Sequence, residues 1–307
     1  MRRALAACAA FLALASAAKA QERAQLTVGG SRIEVIFGEP PAPALRALVL
    51  AWIGTSARAV AVYHERFPVA RLEIRVRSRD GRGPGSGTTY GWDGALITIV
   101  VGRASTAADF AGDWLMPHEM LHLGFPSVPE RHHWIEEGVA TYAEPIARAR
   151  AGLIPAEEAW GDLVRGLPQG LPQGGDRGLD ATHTWSRTYW GGAIFCLLAD
   201  VEIRKRTANR LGFEHALQAI VRAGGTIEAN WNLDRALGIG DRATGVPVLR
   251  ELYERMRAAP APVDLDALWK QLGIARRGRQ VVFDDTAPLA QVRSAITRRA
   301  AGIPSGP

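Results

Sequence analysis

One short stretch, residues 116–140, constrains this chain more than any other, because it contains the pattern His-Glu-x-x-His. His118 and His122 are four residues apart, so on a helix both rings leave one face about one turn from each other. At that separation two imidazole nitrogens reach a single Zn²⁺. Glu119 follows the first histidine, where its carboxylate can accept a proton from an attacking water. The pattern predicts a zinc-binding helix; the alternative is a surface helix with two unrelated histidines.

A second segment favours the zinc interpretation. Residues 134–142 read Trp-Ile-Glu-Glu-Gly-Val-Ala-Thr-Tyr. W-x-x-E-G-x-A-x-Y after H-E-x-x-H resembles the third-ligand helix of the gluzincins, the zinc peptidases whose third metal ligand is a glutamate. In that group the glutamate directly before the glycine binds the metal, and here this position is Glu137. The resemblance therefore implies one Zn²⁺ per chain, held by His118, His122 and Glu137, with a fourth position left open.

A third segment, residues 189–192, reads Tyr-Trp-Gly-Gly and begins a predicted helix. It resembles the Y-x-K-G segment of the large zinc aminopeptidases and of the related glycyl aminopeptidase family, and the likeness continues through residues 193–207. In those families the tyrosine stabilises the reaction intermediate, which implies a catalytic role for Tyr189. The alternative is a core tyrosine whose hydroxyl has an ordinary hydrogen-bond partner.

The resemblance covers residues 105–300 and departs from those families in two places. Only 14 residues separate His122 from Glu137, whereas about 18 are usual in large zinc aminopeptidases. Their G-x-M-E-N sequence ahead of the zinc helix is absent as well. Residues 80–94, rich in Gly, Ser and Thr, predict a flexible loop there, which either pairs with the substrate or is a plain hairpin loop.

Hydrophobic periodicity and the resemblance together predict an α+β fold with a thermolysin-like zinc peptidase core. Residues 21–150 are expected to form a small mixed sheet with the zinc-binding helices. Residues 151–307 are expected to form an all-helical subdomain that completes the active-site cleft. Within it, residues 280–283 could form one small strand.

The first 20 residues have the features of a secretory signal peptide. Two arginines are followed by an apolar run, and Ala18-Lys19-Ala20 matches a cleavage site. Export to the periplasm, without stable membrane insertion, is the prediction. A membrane anchor is the alternative, but the run is short for a span. Lipidation at Cys8 is disfavoured, because almost no apolar region precedes that residue.

Net charge and cysteine content restrict the binding partners and disulfide bonds that this chain can have. Removal of the leader takes away three cations and lowers the net charge from +6 to +3. The remaining chain has no basic run with interleaved aromatic residues, so no nucleic-acid partner is predicted. Cys196 is then the only cysteine, which excludes an internal disulfide.

Several polar residues near the motifs are candidates for secondary roles. Glu136 and Glu144 could replace the carboxylates with which aminopeptidases recognise a free amine, although a solvated or supporting role is favoured for Glu136. Thr141 lies one turn after Glu137 and could support it.

The histidines outside the motif are weaker candidates for a role in metal binding or in the cleft. A second metal site at His132 and His133 is disfavoured, because adjacent side chains usually point apart. His183 either enters the cleft or lies on a surface loop.

These features predict an exported zinc metallopeptidase that hydrolyses peptide bonds, with Glu119 as general base. Both aminopeptidase and oligopeptidase or endopeptidase activity are compatible with the motifs. One alternative is a zinc amidase acting on cell-wall peptides, and another is a non-catalytic zinc- or peptide-binding protein.

Overall fold

A computed structural model describes residues 21–278 and 280–301. The predicted signal peptide, with Cys8, lies outside the described residues. The described part combines a five-stranded mixed sheet, a two-stranded hairpin and many helices, so the predicted α+β class is confirmed.

The large sheet has the strand order β1-β2-β3-β5-β4. Its strands are β1 Glu22–Val28, β2 Ser31–Phe37, β3 Arg71–Arg79, β4 Pro84–Tyr90 and β5 Leu96–Gly102. β1 and β2 form the hairpin expected from the sequence, and Gly29 and Gly30 provide its turn at φ of 56° and 83°. Strands β2, β3 and β5 are parallel, and β4 lies antiparallel to β5 at the edge.

The edge strand β4 corrects the expectation of a flexible loop at residues 80–94. Its sequence, Pro-Gly-Ser-Gly-Thr-Thr-Tyr, contains residues with weak intrinsic preference for strands. Pairing with the apolar strand β5 overrides that preference, with Gly87 opposite Ile99 and Thr89 opposite Ile97. A strand at this edge leaves one row of backbone groups available to another chain.

Helices cover one face of the sheet and form the rest of the chain. They are α1 Pro43–His64, α2 Ala107–Phe110, α3 Leu115–His122, α4 His133–Arg150, α5 Ala156–Gly166, α6 Gly192–Arg206, α7 Phe213–Arg222, α8 Leu233–Thr244, α9 Val248–Met256, α10 Leu265–Leu272 and α11 Ala290–Ile296. A π-helical turn, Arg187–Gly191, directly precedes α6.

The expectation of an all-helical part after residue 150 is wrong in one place. Strands β6 Ile274–Arg277 and β7 Gln280–Phe283 form an antiparallel hairpin. Gly273, at φ 68°, ends α10 and turns the chain into β6. A single cluster of buried apolar side chains extends from Val28 to Ile296 and so joins the two predicted subdomains.

Helix α1 is a central element of this core. Its buried residues include Trp52, Ile53 and Val60, and it packs against the sheet, α3 and α4. By length and composition α1 is apolar enough to cross a membrane, but half of its most apolar window is buried inside the fold. That degree of burial is typical of a core helix.

Candidate metal centre and cleft

Local contacts determine where α3, the helix that carries His118 and His122, begins. Asp113 Oδ2 accepts hydrogen bonds from the Met116 backbone N–H at 3.1 Å and from the Trp52 indole N–H at 3.0 Å. Pro117 occupies the first turn, where its missing N–H has no consequence. Asp113 lies two residues before Leu115, the first residue of α3, and its two hydrogen bonds hold the start of that helix against α1.

The side chains of His118, His122 and Glu137 converge. One donor atom from each lies within 4.8 Å of the others. Glu137 Oε2 is 3.3 Å from His118 Nε2 and 3.5 Å from His122 Nε2. Glu137 Oε2 is also buried and has no hydrogen-bond partner among the described residues. Two imidazole nitrogens and one carboxylate oxygen with unused acceptor capacity fit a catalytic zinc site.

The electrostatics of the three groups are coupled. Burial raises the pKa of the Glu137 carboxyl, but the close histidine rings of His118, His122 and His133 outweigh burial and hold that pKa far below its usual range. Burial lowers the pKa of His122, yet the adjacent negative charge of Glu137 produces a net increase. The carboxylate is therefore ionised, as a metal ligand must be.

The Glu119 carboxylate contacts the edge strand. The Thr89 hydroxyl lies 2.7 Å from Glu119 Oε2 and 2.8 Å from the Glu119 backbone oxygen. A Cβ atom on Gly87 would lie 2.7 Å from Glu119 Cγ. Strand β4 therefore both holds the carboxylate and leaves space for it. The sequence interpretation missed Thr89, because 30 residues separate it from Glu119.

Tyr189 lies beside His118 and Glu137. Its ring is nearly parallel to that of His118, with 6.2 Å between the centroids, and it stacks on Trp185 at 5.2 Å. Burial, followed by the charge of Glu137, raises the pKa of Tyr189 to about 12. The π-helical turn that carries Tyr189 is a local irregularity of a kind often found at functional sites.

Helices α4 and α6 cross with their backbones in contact. A Cβ atom on Gly192 would lie 2.0 Å from the Trp134 carbonyl oxygen, and one on Gly138 would lie 2.4 Å from the Gly192 carbonyl carbon. Because Gly138 follows Glu137 and Gly192 follows the π-helical turn, this close crossing brings Glu137 and Tyr189 together.

A cleft of about 710 Å³ opens beside these residues, and His118, Glu119 and Tyr189 contribute to its wall. The β4 glycines lie on one side, and α4, α5 and the π-helical turn line the remainder. Two exposed aromatic rings stand at its rim, Trp114 and Trp185, with 55% and 60% of their surfaces accessible.

The neighbouring histidines His132 and His133 contact different partners. His132 Nδ1 lies 2.9 Å from Asp180 Oδ1, and His133 Nδ1 lies 2.9 Å from Glu136 Oε2. Asp180 also accepts hydrogen bonds from the Trp134 indole and the Tyr253 hydroxyl, each at 2.8 Å. This partly buried set of hydrogen bonds around Asp180 was not predicted, because an aspartate in a loop carries no distinctive sequence signal.

The remaining candidates from the sequence, Glu144, Thr141 and His183, lie in three different environments. Glu144 lines the cleft and is paired with Arg148, and burial raises the pKa of Glu144 to about 7. The Thr141 hydroxyl is buried and has no hydrogen-bond partner within the described ranges, so the expected support of Glu137 is not observed. His183 is exposed and is not part of the cleft wall as described.

Comparisons with known proteins give a likeness of fold. No family model and no curated protein matches the chain. The crystal structure of an aminopeptidase N family protein from Idiomarina loihiensis matches with a TM-score of 0.59 at 13% identity, over 83% of this chain and 49% of that one. This chain shares its fold. An M1 zinc metallopeptidase from Deinococcus radiodurans matches with a TM-score of 0.47 at 16% identity, over 80% of this chain and 54% of that one.

The predicted resemblance to zinc aminopeptidases is thereby confirmed at the level of fold. The chain spans about half the length of both solved proteins.

Proposed function

We propose that this protein is a zinc-dependent metallopeptidase. The observation that carries the proposal is the convergence of His118, His122 and Glu137 beside a cleft whose wall includes Glu119 and Tyr189. The thermolysin-like arrangement of the H-E-x-x-H helix belongs to the same proposal, and the shared fold supports it. His118, His122 and Glu137 would hold one Zn²⁺. When bound, zinc supplies a Lewis acid that polarises a carbonyl group and lowers the pKa of a water.

Glu119 is the proposed general base. Its carboxylate accepts the proton of the water that attacks the scissile carbonyl and then delivers it to the leaving amine. The hydrogen bond from Thr89 to Glu119 Oε2 leaves Oε1 as the oxygen for proton transfer. Because Thr89 belongs to a sheet, the position of the base is fixed by a rigid element.

Tyr189 is the proposed donor to the oxyanion of the tetrahedral intermediate. A pKa raised to about 12 keeps its hydroxyl protonated at neutral pH, so that it can donate a hydrogen bond. Its ring is held between Trp185 and His118, which limits its movement.

Strand β4 is the proposed platform for the substrate backbone. It is an edge strand, and its Gly85-Ser86-Gly87 segment lines the cleft beside Glu119. An extended peptide can add to such an edge through backbone hydrogen bonds. The glycines allow it to approach closely, and the aromatic rim offers contact for apolar side chains.

The charges in the cleft favour oligopeptidase or endopeptidase activity over removal of N-terminal residues. A free ammonium group requires an uncompensated carboxylate when it is buried. In the described cleft, however, the buried Glu144 is paired with Arg148, and Asp162 is paired with Arg165 and lies 3.5 Å from Arg148. Glu158 is exposed.

A peptide library read by mass spectrometry tests the activity. The wild type, purified with one Zn²⁺ per chain, is expected to cleave peptides, and Glu119→Gln is expected to retain zinc without cleaving. Each cleaved peptide is then offered with a free and with an acetylated N-terminus. Equal cleavage of both forms supports the oligopeptidase assignment, whereas cleavage of the free form alone establishes an aminopeptidase.

Zinc content and cleavage, measured also with cell-wall peptides as substrate, distinguish the alternative functions. A zinc-loaded wild type that leaves peptides intact but releases fragments from cell-wall peptides would be an amidase. A zinc-loaded protein that binds peptides and cleaves neither substrate would be a binding protein. Failure of the wild type to bind zinc would exclude the peptidase and the amidase and would leave only a peptide-binding protein.

Export is a separate proposal, based on the sequence of the first 20 residues. Expression of the full chain in a bacterium is expected to give a periplasmic protein whose intact mass corresponds to cleavage after Ala20. An uncleaved protein in the cytoplasm would refute export without affecting the proposed chemistry.

A further inference from the structure

We propose that His133 and Glu136 form a positioning pair for Glu137: they hold its second carboxylate oxygen, so that a single oxygen faces the metal-binding histidines. The inference rests on the proposed metal centre and adds to it two residues that bind neither the metal nor the substrate.

The two oxygens of Glu137 face different partners. Oε2 lies 3.3 and 3.5 Å from the Nε2 atoms of His118 and His122. Oε1 lies 3.3 Å from His133 Nε2. A carboxylate that can rotate is able to present either one oxygen or both to a cation. With Oε1 engaged by His133, Oε2 is the oxygen directed at the metal centre.

The His133 ring is itself anchored. Its Nδ1 lies 2.9 Å from Glu136 Oε2, and Glu136 Oε1 accepts a hydrogen bond of 2.7 Å from the Val128 backbone N–H. A continuous series of contacts therefore runs from the backbone before α4, through Glu136 and His133, to Glu137. Groups arranged in this way fix the orientation of a carboxylate that faces a metal site.

Helix geometry explains why these three residues meet. His133, Glu136 and Glu137 occupy positions i, i+3 and i+4 in the first turn of α4, and such positions share one helix face. The short connection between α3 and α4 brings Val128 to this turn. It is held there by backbone hydrogen bonds of 2.9 Å from Ser127 N–H to Ala229 and from Trp231 N–H to Ser127.

Two other interpretations of His133 fit these contacts less well. A surface ion pair without further effect would join two exposed groups, whereas His133, at 42% exposed, contacts Glu137 and Glu136 side chains that are only 10% and 16% exposed. A role as a metal ligand would require His133 to join the other donor atoms, but the described cluster consists of His118, His122 and Glu137.

Zinc affinity of the full chain tests the inference without recourse to catalysis. The metal-free protein is titrated with Zn²⁺ in competition with a chromophoric chelator. His133→Ala is expected to weaken zinc binding by about 10–100-fold, the usual effect of removing a residue that orients a ligand. His133→Gln is expected to recover most of the affinity, because its amide N–H can still reach Glu137 Oε1. Glu136→Ala is expected to cause a partial loss.

His183→Ala is the matched control, since it removes an exposed histidine outside the described cleft; it is expected to bind zinc like the wild type. A wild-type Kd in His133→Ala would overturn the inference and leave the metal centre intact. Equal losses in His133→Ala and His133→Gln would also overturn it, because they would indicate a ligand or a packing residue. If His133→Ala does not fold, the zinc affinities of His133→Gln and Glu136→Ala provide the test instead. A wild type that binds no zinc would overturn the metal centre as well.

Discussion

At the scale of single residues, the Thr89 hydroxyl determines where the Glu119 carboxylate points. It lies within hydrogen-bonding distance of both Oε2 and the backbone oxygen of Glu119. Thr89→Val keeps the shape of the side chain and removes the donor, so kcat is expected to fall roughly 10–100-fold through misplacement of the base. Thr89→Ser should restore the rate. Steady-state kinetics with an identified peptide, together with zinc content, provide the measurement; unchanged kcat in Thr89→Val would rule out the positioning role.

The Tyr189 hydroxyl is expected to act on the intermediate and not on the bound substrate. Tyr189→Phe keeps the ring stacked between Trp185 and His118 while removing the donor. The expected result is a decrease in kcat of about 100-fold with little change in KM, as for loss of one oxyanion donor. Trp185→Phe, which retains an aromatic ring at the rim, serves as the comparison. A rise in KM alone would instead indicate a packing role for Tyr189.

The sequence predicts a residue contact when the chemistry is local. His118 and His122 share a helix face because of their spacing, and Glu137 was found through a resemblance that includes its flanking residues. Thr89 and Asp180 could not be found in this way. Their partners are distant in sequence, and the contacts depend on strand pairing and helix packing that a threonine or an aspartate does not encode by itself.

At the scale of secondary-structure elements, the crossing of α4 and α6 controls the geometry of the site. Gly192→Ala would place a Cβ atom 2.0 Å from the Trp134 carbonyl oxygen, so the two helices would have to separate. Such overpacking is expected to cost about 3 kcal/mol of unfolding free energy, which corresponds to a fall in Tm of about 5 °C for a chain of this length. Thermal unfolding followed by circular dichroism provides the measurement.

Gly174→Ala is the control for that variant, because no atom lies within 4 Å of a Cβ atom built there. Gly192→Ala should also be less active per folded molecule than the wild type, because Glu137 and Tyr189 move apart when the two helices separate. Equal Tm values for Gly192→Ala and Gly174→Ala would contradict the proposed crossing.

Element types were predictable to the extent that hydrophobic patterns were strong. The alternating residues of β3 and the long apolar pattern of α1 are typical of a half-buried strand and of a core helix, which is what they form. Strand β4 has no such apolar pattern. It consists largely of glycine and threonine and lies at the edge of the sheet, where it pairs with β5 alone. The hairpin of β6 and β7 was only half predicted, since β6 contains two consecutive arginines and lacks a buried face.

At the scale of the whole molecule, one core connects the sheet, helices α3 and α4 and the C-terminal helices, so a local change in charge affects the stability of the entire fold. His64 is the residue where this matters most. It ends α1, is 1% exposed, and neither ring nitrogen has a hydrogen-bond partner among the described residues. Its Nε2 lies 2.5 Å from where a Cβ atom on Gly124 would be, just beyond the metal-binding helix.

Burial lowers the pKa of His64 from 6.5 to about 4, because the surrounding core disfavours the charged ring. The unfolded state therefore binds a proton at a higher pH than the folded state does. The stability contributed by neutral His64 is fully present above pH 6.5 and is lost as the pH falls towards 4. Between pH 7 and pH 5 the loss of stability is about 2 kcal/mol.

Urea unfolding of the wild type and His64→Phe at both pH values isolates the contribution of His64, since protonation of the other groups is common to the two proteins. The wild type should lose about 2 kcal/mol more than His64→Phe over this interval; identical losses would show that the His64 ring is protonated or solvated within the fold.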